Sequence, residues 1–222
     1  MSHLNLSADE VLTTTRAVRK RLDLDRPLDM ALVRESLEIA LQGPSGSNSQ
    51  GWHFLLVTDP DKRAAIAAVY RRAFEDYAAG PNQPTEQHKA DPSMASTQAR
   101  VLDSARYLAD NLQRVPALLI PCCGGRPDQP GAPLALQAAL YGSILPAVWS
   151  FMLAARERGI GTCWTTLHLV HEKEVGELLG IPDDVAQVAL VPVAHTLGTA
   201  FRPAPRKPQA ICAFAALGHP SS

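Results

Sequence analysis

The chain has no H-E-x-x-H, no G-x-G-x-x-G, no G-x-S-x-G and no P-loop. Zinc-protease, Rossmann, α/β-hydrolase and phosphate-loop chemistry therefore lack their usual supports. Cysteine is scarce: four residues, at 122, 123, 163 and 212, with no C-x-x-C. Adjacent Cys122 and Cys123 give no ligand spacing, and the expectation is reduced, mostly buried thiols in a cytoplasmic protein. His168 and His171 are three apart but have no carboxylate at a metal-site spacing, so no metal is expected. Charge of one sign is lacking too, with a net charge of -1. That excludes a global pull toward nucleic acid or an anionic membrane, although not a local basic patch. No uninterrupted run of about 18 apolar residues occurs, and no span is expected. The N-terminal stretch has no apolar h-region, so no secretory signal is expected. Serine, histidine and aspartate are plentiful, yet nothing arranges them as a triad.

What is present is an ordinary globular balance, 46% hydrophobic and 19% charged over 222 residues. That length suits one substantial core. Ser7 to Glu10 reads as a capping box, with a helix to about Arg19. Asp29 can cap a second helix, whose apolar positions run from Leu32 to Leu41 and which Gly43-Pro44 stops. "HFLLVT" reads as a buried strand, then a helix over "KRAAIAAVYRRAFEDYAAG" and a polar loop over "PNQPTEQHKADPS". "ASTQARVLDSARYLADNL" reads as a helix and "VPALLIPCC" as a strand. The longest helical segment, Leu134 to Gly159, is apolar on most faces and belongs at the centre of the fold or at a subunit interface. Pro146 should kink it or mark its effective start. "IGTCWTTL" reads as a strand or extended loop, "HEKEVGELLG" as a short helix and "AQVALVPVAH" as one strand. The tail from Thr196 is Pro-rich and reads as extended. With no repeat and no linker, residues 1–222 form a single α+β domain.

Three clusters carry chemistry. Arg16 and Arg19 would share a helix face and can fork onto phosphate oxygens, but a solvated basic helix end explains them as well. Ser45, Gly46, Ser47, Asn48, Ser49 and Gln50 crowd hydroxyls, amides and open backbone ahead of Trp52 and Phe54. A turn needs two or three such residues, so this loop reads as a ligand shelf. Arg206 and Lys207 add a second cationic pair in the tail. A polar cradle without acid-base or nucleophilic machinery suggests a cofactor that brings the chemistry.

In order and spacing, "TTRAVRKRLD", "LQGPSGSNSQGWHFLLVTDP", "LAARERGIGTCWTT" and "VALVPVAHTLG…PAPRKP" resemble the FMN-dependent nitroreductase family over nearly the whole chain. The second piece is the most specific. Gly43 and Gly51 replace the usual Ala and Pro without removing a polar group. The resemblance implies an α+β nitroreductase-like sandwich: a central, mostly antiparallel sheet flanked by helices, in an intertwined homodimer with FMN at the subunit interface. It assigns Arg16, Ala17, Arg19 and Arg206 to the phosphate, with a hydroxyl lost at Ala17 and a basic residue lost at Ala204. Pro44, Ser45, Gly46, Ser47 and Asn48 match the loop that the other subunit lays along the flavin. Ser143 falls where a polar residue faces the ring system. Cys163, Trp164, Thr165 and Thr166 match the segment near its reactive edge.

The implied activity is an oxidoreductase with ping-pong kinetics. Hydride passes from NADH or NADPH to flavin N5, and then to an electron-poor small-molecule acceptor such as a nitroaromatic or quinone. Residues 74–95 would form a substrate lid and 197–222 an extended tail. Tyr70, Phe74 and Tyr77 could stack on a substrate ring, although their helical spacing suits core packing equally. The alternatives are a same-fold enzyme with another flavin reaction, by fragmentation or reductive dehalogenation, or a flavin-binding carrier or redox sensor.

Overall fold

In the computed structural model, residues 3–204 and 206 are described. Helix α1 (Ala8–Thr14) begins at the expected box: the Ser7 Oγ accepts the Glu10 amide, and the Glu10 carboxylate accepts the Ser7 amide. It stops at Thr14, five residues before the expected end. Three consecutive threonines, Thr13 to Thr15, each donate a hydroxyl to the carbonyl four residues back. β-Branching and this back-bonding both weaken a helix. The chain then runs irregularly, and the Val18 amide donates to the Thr162 carbonyl at 2.8 Å. Arg16 and Arg19 therefore do not share a helix face.

Helix α2 (Met30–Ala40) is capped by Asp29 as expected. Strand β1 (Trp52–Val57) leads to α3 (Pro60–Ala79), capped by Asp59 with Pro60 at its first position. The segment expected to be a plain loop holds a one-turn helix, α4 (Pro84–Gln87), and a 3₁₀ turn at Pro92–Met94. In both, a proline opens the turn and the preceding side chain caps it. Residues 74–79 belong to α3, so the expected lid starts inside a helix. Then follow α5 (Ala95–Asn111), β2 (Ala117–Gly124), α6 (Leu134–Glu157), β3 (Ile160–Thr162), a 3₁₀ turn at Leu167–His171, α7 (Glu172–Leu179), β4 (Val185–Gln187) and β5 (Val191–His195).

The sheet runs β1-β2-β5-β3, with β4 also pairing β2, and every pairing is antiparallel. The single strand expected over 186–195 is broken in two. Pro121 presents its carbonyl to this edge, where the Val188 amide meets it at 3.0 Å, but it has no N–H to return. The ladder lapses there, and Leu190 exchanges both backbone bonds with Thr165 instead.

β2 is buried along nearly its whole length and separates two cores. Leu118, Ile120 and Cys122 pack with Ile66, Tyr70 and Phe74 of α3 and Leu108 of α5. Ala117, Leu119 and Cys123, at alternating positions, pack with Leu32 and Val33 of α2 and Ile144, Val148 and Phe151 of α6. The result is the α+β sandwich expected. The thiols of Cys122, Cys123 and Cys163 are free and buried; Cys212 lies outside the described residues.

α6 continues through Pro146. It is long and apolar enough to cross a membrane by length and composition, although no uninterrupted apolar run marks it in the sequence. Here one side packs on the sheet and α2, while Leu134, Leu136, Tyr141 and Trp149 stay exposed.

Candidate functional site

Part of the set singled out from the sequence lines two hollows. The first, of about 570 Å³, gathers Arg16, Ala17, Arg19, Trp164 and Arg206 with Ala204. These positions span almost the whole chain. The irregular stretch after α1 lies against β3, which brings it beside Trp164. The tail is drawn in by Arg21, whose guanidinium donates to the carbonyls of Leu197, Gly198 and Ala200 and stacks 4.1 Å over the Phe201 ring. Arg16 then donates to the Arg202 carbonyl at 3.0 Å. Arg21 was not singled out from the sequence, and its role depends wholly on this fold-back. Lys207 lies outside the described residues.

The second hollow, of about 260 Å³, is lined by Gly46, Ser47, Ser143 and Trp52 among others. The Gly46 amide donates to the Ser143 Oγ at 2.9 Å, and that hydroxyl donates to the Ala139 carbonyl at 2.7 Å. Ser143 therefore fixes the loop to α6. Within the loop, the Ser45 carbonyl accepts the Asn48 amide, its hydroxyl accepts the Gln50 amide, and the Asn48 Oδ1 accepts the Gln50 side-chain amide. Ser47, Asn48 and Gln50 all hold φ near +50°. L-residues visit that region at a cost, and such strain persists where surrounding contacts enforce it. Gly46 itself has ordinary φ, and a Cβ there would sit 3.7 Å from the Ser143 Oγ. Pro44, Gly46, Ser47 and Asn48 are exposed.

After β3 runs the strip from Cys163 to Thr166, of which Trp164 lines the first hollow. Cys163 is fully buried, and burial pushes its thiol pKa up against the opposing influence of Arg19. Thr165 shares a hydrogen bond of 2.9 Å with the Tyr70 hydroxyl, and Thr166 opens the following 3₁₀ turn. Tyr70 is 2% exposed, and burial pushes its hydroxyl up to about 12. Phe74 is 1% exposed and lies under Arg106. Neither ring has a free face, so the expectation of substrate stacking gives way to core packing. Tyr77, 6.3 Å from Phe74, is half-buried.

Thr15, with Thr97, Arg100, Val101 and Ser104 of α5 and Trp149 and Met152 of α6, completes the first hollow, and these residues were missed. On α5 the signal was a stripe at i, i+3, i+4 and i+7, polar except for Val101, which reads as an ordinary solvated helix face until the fold turns it onto the arginines.

The donor set suits an FMN phosphate: arginines from the N-terminal stretch and the tail meet in a hollow that no aspartate or glutamate lines among the described residues. The Nitroreductase family model matches residues 12–195. The chain belongs to the nitroreductase family. It is 29% identical over 195 residues to a 4-nitrobenzoate reductase of Nocardioides sp. (strain LMS-CY), covering 78% of this chain and 74% of that protein. It is 30% identical over 166 residues to a 5,6-dimethylbenzimidazole synthase of Rhodospirillum rubrum, covering 73% and 70%. An iodotyrosine deiodinase solved with FMN and 3-iodo-L-tyrosine superposes with a TM-score of 0.67 at 21% identity, over 94% of this chain and 98% of that one. That likeness shows the fold the two chains share.

Proposed function

We propose that this nitroreductase-family protein is an FMN-dependent oxidoreductase. It would take hydride from NADH or NADPH and reduce an electron-poor small molecule, a nitroaromatic or quinone, by ping-pong kinetics. The observation that carries the reading is the division of the site. One chain supplies a cationic hollow beside Trp164, and a shelf held by Ser143 stands apart from it with its outer residues exposed. In this reading a flavin touches both features by drawing on two chains. A homodimer would supply the second shelf, and the exposed apolar side of α6 suits such an interface.

When bound, FMN supplies the hydride chemistry. Arg16, Arg19 and Arg206 would hold its phosphate by charge-assisted bonds. The partner's shelf would hold polar atoms of the ring system through loop amides and Asn48. Trp164 and the Thr165–Tyr70 pair would fix the strip near the reactive edge. The thiol of Cys163, buried and protonated, takes no nucleophilic part.

The test is the visible spectrum of the purified protein, followed by anaerobic addition of NADPH and then NADH. Flavin bands that bleach on addition support the reading, and re-oxidation by a nitroaromatic or quinone completes it. A protein that stays colourless after incubation with FMN overturns it. Similarity to the benzimidazole synthase favours a second reading, oxygen-dependent fragmentation of the flavin. Irreversible loss of the bands after aerobic turnover would select it.

A further inference from the structure

The chain from Thr196 to Ala204 folds back along the N-terminal segment, and Arg21 clamps its start. The Arg21 guanidinium donates to the carbonyls of Leu197, Gly198 and Ala200 at 3.0, 2.8 and 2.9 Å. The Leu197 amide returns a bond of 2.8 Å to the Arg21 carbonyl. Gly198 holds a φ of +74°, and a Cβ there would sit 3.2 Å from the Arg21 Nη2, so glycine gives the guanidinium room. Phe201 then meets two cations: the Arg21 guanidinium lies 4.1 Å from its ring centroid and the Arg156 guanidinium 5.0 Å. Arg156 is 7% exposed, and burial, together with the charge of Arg21, pulls its pKa down. An aromatic face attracts both groups, and desolvation strengthens that attraction. The ring therefore holds together two like charges that would otherwise repel. The next residue, Arg202, accepts the Arg16 Nη1 at 3.0 Å through its carbonyl. This is the one hydrogen bond the Arg16 side chain makes among the described residues. Arg16 and Ala204 line the 570 Å³ hollow, whereas Phe201 lines a smaller one of about 270 Å³ that shares Arg16 and Arg19 with it.

We propose that Phe201 is a positioning residue for the flavin phosphate. By docking on Arg21 and Arg156 it closes the tail as a strap, and the closed strap aims the Arg16 guanidinium at the larger hollow. The inference rests on the flavin reading above. It adds no chemical step, and Phe201 acts through Arg16 rather than on the flavin.

The full chain freed of flavin is titrated with FMN and with riboflavin, which lacks the phosphate, and binding is read by flavin fluorescence. Wild type is compared with Phe201→Leu and Phe201→Tyr. The preference for FMN over riboflavin should fall about tenfold in Phe201→Leu, as loss of a charge-assisted bond implies. The riboflavin Kd should stay within about threefold. Phe201→Tyr keeps the ring and should keep the preference within about threefold. An unchanged preference in Phe201→Leu overturns the proposal. So does an equal loss for both flavins, which marks a merely structural role. Hydrogen exchange over residues 196–204 in the flavin-free chain gives a readout without any flavin. It should quicken about tenfold in Phe201→Leu, and equal rates in wild type and variant overturn the proposal. Failure of the flavin reading shows separately, as a wild type that binds neither flavin, and the exchange rates still test the strap.

Discussion

His168 should make the protein acid-labile in a way a single substitution can remove. The side chain is fully buried in the 3₁₀ turn between β3 and α7, and neither ring nitrogen has a hydrogen-bond partner. Burial alone pushes its pKa from the ordinary 6.5 to about 3. Between those values the unfolded chain binds a proton that the native state refuses, so stability falls as pH drops. Above the unfolded value the penalty vanishes. From the two pKa values the loss is about 2 kcal/mol near pH 5 and ~3 kcal/mol near pH 4. In His168→Leu, nearly equal in volume, this contribution disappears, and a buried polar group without partners is removed as well. Urea unfolding followed by circular dichroism at pH 7.5, 6 and 5 reads the effect. The variant should match or exceed wild type at pH 7.5. Its advantage should grow by roughly 1.4 kcal/mol per pH unit in the acid range. Parallel stability curves for the two proteins would refute the reasoning, and so would a variant clearly weaker at pH 7.5.

Three further outcomes are expected. Gly161→Ala would place a Cβ 2.7 Å from the Thr196 Cγ2 and 3.0 Å from both the Leu22 Cδ2 and the Val18 Cγ1. Urea unfolding should show a loss of about 1–3 kcal/mol, from overpacking where the N-terminal segment crosses β3. Ser143→Ala removes the acceptor of the Gly46 amide. FMN affinity should weaken by roughly 1 kcal/mol, measured by fluorescence titration, while the urea midpoint barely moves. The double variant Arg16→Ala with Arg19→Ala should lose several kcal/mol of FMN affinity at most, at ~1.5–3 kcal/mol per charge-assisted bond. Full occupancy at low flavin would count against the phosphate assignment.

Local signals were legible wherever one segment decides the outcome. The Ser7 box, the Asp29 cap and the Gly43 stop each act within a few residues, and each stands where expected. The unbroken apolar run of β2 marked it as a strand. Misreadings arose from an unread local signal as well as from distant groups. The α1 end depended on three threonine back-bonds, and the split between β4 and β5 on a missing N–H in another strand. For Tyr70 and Phe74 the spacing left stacking and core packing level, and burial in the fold decided for packing.

The sequence by itself determined an α+β fold, with a polar loop ahead of β1 and arginines near both ends. Spacing, caps and turn residues are local properties, so they survive reading one segment at a time. Tertiary structure alone decided which arginines meet. Arg21 draws the tail back by three carbonyl bonds. The crossing of the N-terminal segment over β3 then sets Arg16 and Arg19 beside Trp164, and α5 brings Arg100 to the same hollow. Such convergence depends on contacts between residues far apart in the chain, which no spacing rule encodes.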